Sequence, residues 1–179
     1  MQRTDNHPAS YYAATAKEMV ERPQLDGAEQ ADVCVIGGGF TGVSAALNLA
    51  EKGLDVVLLE AERLGFGASG RCGGLIGSGQ RKDVLEMEQL YGLERSRELW
   101  GFAEAAKEEI RSRVTQHDIR CDLHKGQLVG VHKQGYCDWP QELADALAER
   151  YDYPHCRALD ESAARERVAT PTFLGGLWD

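Results

Sequence analysis

The 179-residue sequence has no apolar run near the roughly 20 residues a helix needs to cross a bilayer. Its opening, Met-Gln-Arg-Thr-Asp-Asn-His-Pro, holds none of the apolar core of a secretory signal. From these absences a soluble, cytoplasmic protein is expected. Positive charge is also scarce, with 20 Lys plus Arg against 29 Asp plus Glu and a net charge of −9. That balance argues against nucleic acid or an anionic membrane as the main partner. The five cysteines, at 34, 72, 121, 137 and 156, include no C-x-x-C pair. An odd, dispersed set reads as reduced thiols rather than a disulfide frame or a zinc site. Repeats and low-complexity blocks are missing too. His117, His124, His132 and His155 stand singly, without metal-ligand spacing or a Ser-His-Asp or paired-carboxylate arrangement. No metal is expected, and no side chain announces itself as catalytic.

Glycine, by contrast, is abundant and placed with a purpose. Residues 31–42, Ala-Asp-Val-Cys-Val-Ile-Gly-Gly-Gly-Phe-Thr-Gly, read as a buried strand entering a glycine turn and then a helix. Val43, Ala46, Leu47 and Ala50 follow at i, i+3, i+4 and i+7, one apolar helix face. Gly53 ends that helix, Asp55-Val-Val-Leu-Leu forms a second strand, and Glu60 closes it, eighteen positions after Gly42. A lone G-x-G-x-x-G is weak, but this whole βαβ context reads as a Rossmann-like dinucleotide site. Gly37 permits the tight turn, Gly39 lets backbone approach a diphosphate, and Gly42 lets helix and strand pack closely. The Glu60 carboxylate is suited to a ribose hydroxyl and would repel a 2′-phosphate. The competing reading is an ordinary α/β turn, which leaves the spacing of the acid unexplained.

A second glycine-rich segment, residues 65–79, carries seven glycines in fifteen positions. No regular helix or strand interior tolerates that entropy cost. Backbone lying against a flat, polar ligand does, with Ser69 offering a hydroxyl, Arg71 a cation and successive N–H groups an anion nest. A mobile linker is the alternative, but the interleaved Phe66, Arg71, Leu75 and Ile76 are foreign to such linkers. This segment separates a flavin from a nicotinamide ligand.

The run V-C-V-I-G-G-G-F-T-G-V-S-A-A-L-N-L-A, followed by L-L-E-A-E-R-L-G-F-G-A-S-G-R-C-G-G, resembles the FAD-dependent amine and amino-acid oxidases of the glycine/D-amino-acid oxidase superfamily. Within it the likeness is greatest to the gamma-glutamylputrescine oxidoreductases, which share the segment matched by Ser10, Tyr11 and Tyr12 and a Cys-Asp-Leu strand like that at Cys121. Phe66 stands where the family usually has Trp, and Cys72 where it has Asn, so an amide's contacts are lost there. The resemblance implies that Gly37, Gly39, Phe40, Thr41, Gly42, Glu60 and Ala61 hold the ADP half of FAD. It places Ala68, Ser69, Arg71, Cys72 and Gly73 near the ribityl chain and flavin ring. Relatives with covalent flavin tend to carry His where this chain has Arg71, which implies a dissociable FAD. Cys72 then reads as a small buried hydrophobe rather than a thioether attachment point.

The implied activity is oxidation of a C–N bond in a small amine or amino acid of the gamma-glutamylputrescine kind, the cofactor carrying the chemistry. Arg71 is the candidate for stabilising negative charge on the reduced ring. The alternative is a non-catalytic or regulatory nucleotide-binding module, because one fold serves many roles. Members of the superfamily are more than twice this long, so the chain is expected to be an N-terminal portion. A short protein pairing with a separate partner is the other possibility.

The expected fold is α/β: a Rossmann-like FAD-binding βαβ unit, then a mainly helical α+β segment of the covering or substrate lobe, incomplete at the C-terminus. Residues 1–30 form an arm with a turn of helix near 13–20, 31–80 the βαβ unit with its flavin loop, and 81–179 the start of the substrate lobe. Residues 82–117 are expected as two helices broken at Gly92, the second burying Leu99, Phe102, Ala103, Ala106, Ile110 and Val114. A strand over 121–132, a helix over 139–151 capped by Asp138 with Pro140 in its first turn, a helix capped by Asp160 and a strand starting near 173 complete the expectation.

Overall fold

The computed structural model describes residues 10–16 and 22–179, which divide into two compact units at Gly74/Leu75. In the first unit, α1 spans Tyr11–Thr15, and Ser10 caps it by accepting the Ala13 N–H at 3.2 Å. Residues 17–20 of the expected 13–20 turn lie outside the described residues. Strand β1 (Val33–Ile36), helix α2 (Phe40–Glu51) and strand β2 (Val56–Leu59) follow, with β1 and β2 parallel and Val33 opposite Val56. Asp32 pins the start of the pair by accepting the Asp55 N–H at 2.9 Å. Gly53, at φ +85°, ends α2 as expected; its N–H reaches Ala50 O and that of Leu54 reaches Leu49 O, the paired bonds of a Schellman turn.

Burial in this unit departs from the sequence reading. Strand β1 alternates half-buried Val33 and Val35 with exposed Cys34 and Ile36, the last 86 % exposed. Only β2 pairs with β1 among the described residues, and parallel strands are buried only when both faces are covered. The α2 stripe is trimmed for the same reason. Two strands make a narrow floor, so Ala46 and Leu47 are half-buried while Val43 and Ala50 stay exposed.

The second unit packs α3 (Val84–Tyr91), α4 (Leu93–Gln116) and α5 (Trp139–Tyr151) beside a three-stranded antiparallel sheet. Its strands are β3 (Leu128–Val131), β4 (Arg157–Asp160) and β5 (Gly175–Trp178), ordered β3-β5-β4, with α6 (Glu161–Arg167) after β4. Gly92, at φ +77°, separates α3 from α4 where the sequence places the break. Asp83 caps α3 through the Glu86 N–H at 2.9 Å, and its second oxygen accepts the Trp139 indole N–H at 2.8 Å. Asp160 caps α6 through the Ala163 N–H at 2.8 Å. Val84, Trp100, Leu143, Ala144, Ala146, Leu147, Tyr151 and Leu177 form the core.

Three expectations are corrected here. The buried line of α4 is Ser96, Trp100 and Lys107 with half-buried Ala103, whereas Phe102 is 71 % exposed and Ala106 and Ile110 are exposed too. Two polar residues can sit inward because each is satisfied; the Ser96 hydroxyl, for one, donates to Gly92 O at 2.8 Å. The strand over 121–132 shrinks to β3, because Asp122 (φ +52°) and Gly126 (φ +102°) turn the chain, and a Cβ on Gly126 would strike the Trp178 indole. Asp138 makes no side-chain cap on α5; its backbone is already helical, at φ −85° and ψ −23°.

Four titratable groups of this unit, Lys107, Tyr151, Tyr153 and Cys156, are raised. Burial, then the Glu88 carboxylate, pushes the Tyr151 hydroxyl up to about 12. Burial, then Asp179, pushes the Cys156 thiol up to about 12 and raises Tyr153. Burial alone would lower Lys107, but Glu104 and Tyr153 outweigh it and raise it. A group raised in the folded state contributes stability below its unfolded value and loses it as pH climbs through the folded one. Melting temperature is therefore expected to hold from neutrality to about pH 8.5, the free thiol value, and to fall steadily towards pH 12. Thermal unfolding followed by circular dichroism across that range checks this; a flat profile contradicts it.

Candidate functional site

The loop between β1 and α2 is built so that backbone, not side chains, lines it. Gly37 adopts φ +101°, a conformation that other residues resist, and its N–H bonds Leu59 O at 2.7 Å. A Cβ on Gly42 would collide with Gly37 O, and one on Gly38 with the Leu64 side chain. One on Gly39 would press to 3.0 Å from Ser69 Oγ. Helix α2 then opens at Phe40 behind Gly39, which has no side chain to cap it. The positive end of a twelve-residue helix faces this loop, the arrangement that draws anions.

Two side chains from later in the sequence close on the loop. Glu60, just after β2, accepts the Gly38 N–H at 2.6 Å through one oxygen and the Glu62 N–H at 3.1 Å through the other. These bonds, Gly38 first, hold its carboxyl below the usual range, so it is ionised near neutrality. Ser69, in the 3-10 turn Ala68–Arg71, accepts the Phe40 N–H at 3.0 Å and supplies the cap Gly39 lacks. Gly38 O accepts the Gly65 N–H at 2.9 Å, tying the two glycine segments together.

Among the sequence candidates, Gly37, Gly39, Phe40, Gly42, Glu60 and Ser69 thus converge on one turn. Thr41 sits in the exposed first turn of α2, and Ala61 follows Glu60. Ala68, Arg71, Cys72 and Gly73 remain along the second glycine segment. Arg71 bends back, donating to Phe66 O at 2.9 Å with its guanidinium 5.4 Å from the Phe66 ring centre. Cys72 is exposed, not buried; it leaves the 3-10 turn in extended backbone (φ −70°, ψ 170°). Sequence reasoning missed the Ser69 cap, although an uncapped Gly before a helix is the signal for an outside acceptor. It also missed Leu64 on Gly38, and Tyr12, whose hydroxyl would lie 2.6 Å from a Cβ on Gly74 (φ +69°).

A turn that needs glycine by its φ at Gly37 and by close neighbours at Gly38, Gly39 and Gly42, a helix start beside it and an ionised acid at its edge suit a diphosphate flanked by a ribose. The sequence profile of the DAO family, described as FAD dependent oxidoreductase, matches residues 32–179. The chain belongs to the DAO family. Among curated relatives, gamma-glutamylputrescine oxidoreductase of Escherichia coli (strain K12) is 39 % identical over 173 residues, covering 97 % of this chain and 40 % of the relative. A probable oxidoreductase OrdL of Rhizobium meliloti (strain 1021) is 38 % identical over 170 residues, covering 95 % and 40 %. The chain therefore spans about two fifths of the length of these relatives. Among solved structures, L-amino acid deaminase of Proteus vulgaris superposes with a TM-score of 0.53 at 20 % identity, covering 88 % of this chain and 39 % of that one. This likeness concerns the fold alone.

The family is described as FAD dependent, and the turn just described is the candidate site for that cofactor. Among the described residues no helix is long and apolar enough to cross a membrane, and no cluster of His, Cys, Asp and Glu is arranged to hold a metal ion.

Proposed function

We propose that Gly37, Gly39, Phe40, Thr41, Gly42, Glu60 and Ala61 hold the ADP half of FAD, and that Ala68, Ser69, Arg71, Cys72 and Gly73 accompany its ribityl chain and ring. The observation that carries this reading is the Glu60 carboxylate, ionised and anchored on the Gly38 N–H at the edge of the turn. Its remaining lone pairs accept the ribose hydroxyls, and its charge turns away a 2′-phosphate. The start of α2 stabilises the diphosphate. Ser69 holds the second glycine segment to the helix start, and Arg71 places a guanidinium in that segment.

The protein is proposed to oxidise the C–N bond of a small amine or amino acid, in the cytoplasm, with a gamma-glutamylputrescine-like compound as the first candidate. When bound, FAD supplies the two-electron oxidation that turns the amine into an imine, which water hydrolyses. No residue described here is assigned as an acid or base, and the flavin is held without a covalent bond.

The test is direct. The protein expressed from its own gene should be yellow, release FAD on denaturation, and bleach anaerobically with gamma-glutamylputrescine or a related amine. A colourless protein that takes up no FAD removes the cofactor assignment and favours a regulatory module. A yellow protein that no amine or amino acid bleaches removes the substrate class.

A further inference from the structure

The glycine-rich segment does not end freely. In the second unit its last residues are fastened to α4 and β5 by a closed polar network. Lys107, on α4, is only 4 % exposed. Its ammonium donates to Ser78 Oγ at 2.6 Å and to the Tyr153 hydroxyl at 3.2 Å, and lies 2.9 Å from a Glu104 carboxylate oxygen. Ser78 and Tyr153 pass their own hydrogens to the two oxygens of Asp179, each at 2.6 Å. Two of the ammonium's protons are thus bonded, the Glu104 carboxylate adds an ion pair, and the Tyr153 ring lies 4.9 Å beneath it. Flanking contacts agree. Gly79, at φ +76°, leaves room for Trp100, whose ring would lie 2.8 Å from a Cβ there, and the Gln80 amide donates to Leu99 O at 2.9 Å.

A core lysine is costly unless paired, and apolar residues fill such positions more cheaply. Its retention here has a geometric effect: Ser78 is held from two sides at once, by a cation and by a carboxylate. We propose that Lys107 is a positioning residue that, through Ser78 in the frame of Tyr153 and Asp179, fixes the downstream end of the glycine-rich segment. This inference rests on the reading that the segment accompanies the flavin. Under that reading, slack at Ser78 reaches the segment's upstream residues along the chain and loosens the ring's surroundings, while the ADP half keeps its own turn.

Ser78→Ala is the cleaner variant, since it cuts the tether yet leaves Lys107 its ion pair with Glu104; Lys107→Met is the companion. Without cofactor, hydrogen exchange at the amides of residues 75–80 should quicken about tenfold in Ser78→Ala, with the melting temperature nearly unchanged. With FAD, both variants should still bind, with the dissociation constant raised about tenfold and the visible flavin band altered in shape. Unchanged exchange in Ser78→Ala overturns the tether, whatever Lys107→Met does to folding. Faster exchange together with a wild-type flavin band overturns the positioning role. If the wild-type protein takes up no FAD while exchange quickens, the tether stands and the cofactor reading falls.

Discussion

Gly42→Ala is expected to eliminate measurable FAD uptake while leaving a folded chain. The added methyl has no space, since its position overlaps Gly37 O, and that carbonyl belongs to a turn already committed to φ +101°. Relief requires the helix start to move away from the turn, at a cost of about 1–3 kcal/mol. The same shift separates Phe40 N–H from Ser69 and tilts the helix terminus away from a diphosphate. We expect affinity for FAD to drop at least about 100-fold, read by flavin fluorescence quenching. Gly101→Ala is the control. Gly101 lies inside α4 with nothing near its would-be Cβ, so alanine there should stabilise by about 0.5–1 kcal/mol and leave FAD binding alone. Retained binding in Gly42→Ala would show that the turn opens without harm, against the geometry.

Glu60→Ala should be the next most damaging change. It removes the acceptor of two backbone N–H groups and the negative charge proposed to meet the ribose. Charge-assisted hydrogen bonds contribute about 1.5–3 kcal/mol when sheltered. Glu60 is half-buried in this chain, so the effect on stability is expected near the lower end of that range. The effect on FAD is larger, because the bound nucleotide shields the site; about a 30-fold loss is expected. Glu60→Gln, which still accepts the Gly38 N–H, should fall between. The pH dependence has a definite sign. A carboxyl lowered in the folded state contributes above its unfolded value of about 4.3 and loses that contribution as pH falls through its folded value. FAD affinity should thus stay level near neutrality and decline only in acid, and Glu60→Gln should flatten that decline. Equal affinity in wild type and Glu60→Ala would remove the acid from the site.

Much of the site was legible because its constraints are local. A strand, a glycine turn, an amphipathic helix ended by Gly53 and a second strand each leave their own period in the sequence. The helix break at Gly92 and the Asp160 cap were legible on the same ground. The bond from Gly38 to Glu60 was not, because it joins atoms 22 residues apart and depends on register between β1 and β2. The Ser69 cap spans 29 residues and was hidden likewise.

The misplaced elements share that cause. Hydropathy alone assigned Phe102 and Ile110 to the buried side of α4, yet Ser96 and Lys107 occupy it because Gly92, Ser78, Tyr153 and Glu104 satisfy them there. A run of alternating residues promised a long strand, and Trp178 folding over Gly126 cut it to four. Ile36, apolar and expected inside, lies open because a parallel strand is buried only by neighbours on both faces.

The sequence by itself determined the strand-helix-strand order of the first unit, the helix break at Gly92 and the glycine turn with its closing acid, and its resemblance to known oxidases pointed to a family of FAD-dependent oxidoreductases. Strand β4 (Arg157–Asp160) left no signal in it. The turn and the helix break follow from spacing along short stretches of backbone, where sterics and hydrophobic period act without distant help, while the family rests on likeness to related sequences. Only the tertiary structure decided that Glu60 and Ser69 meet the turn, that Arg71 rests on Phe66, and that a lysine is sealed in the core with Ser78 and Asp179. Those outcomes depend on partners brought together by folding, and a polar group's burial is settled by the bonds it finds there.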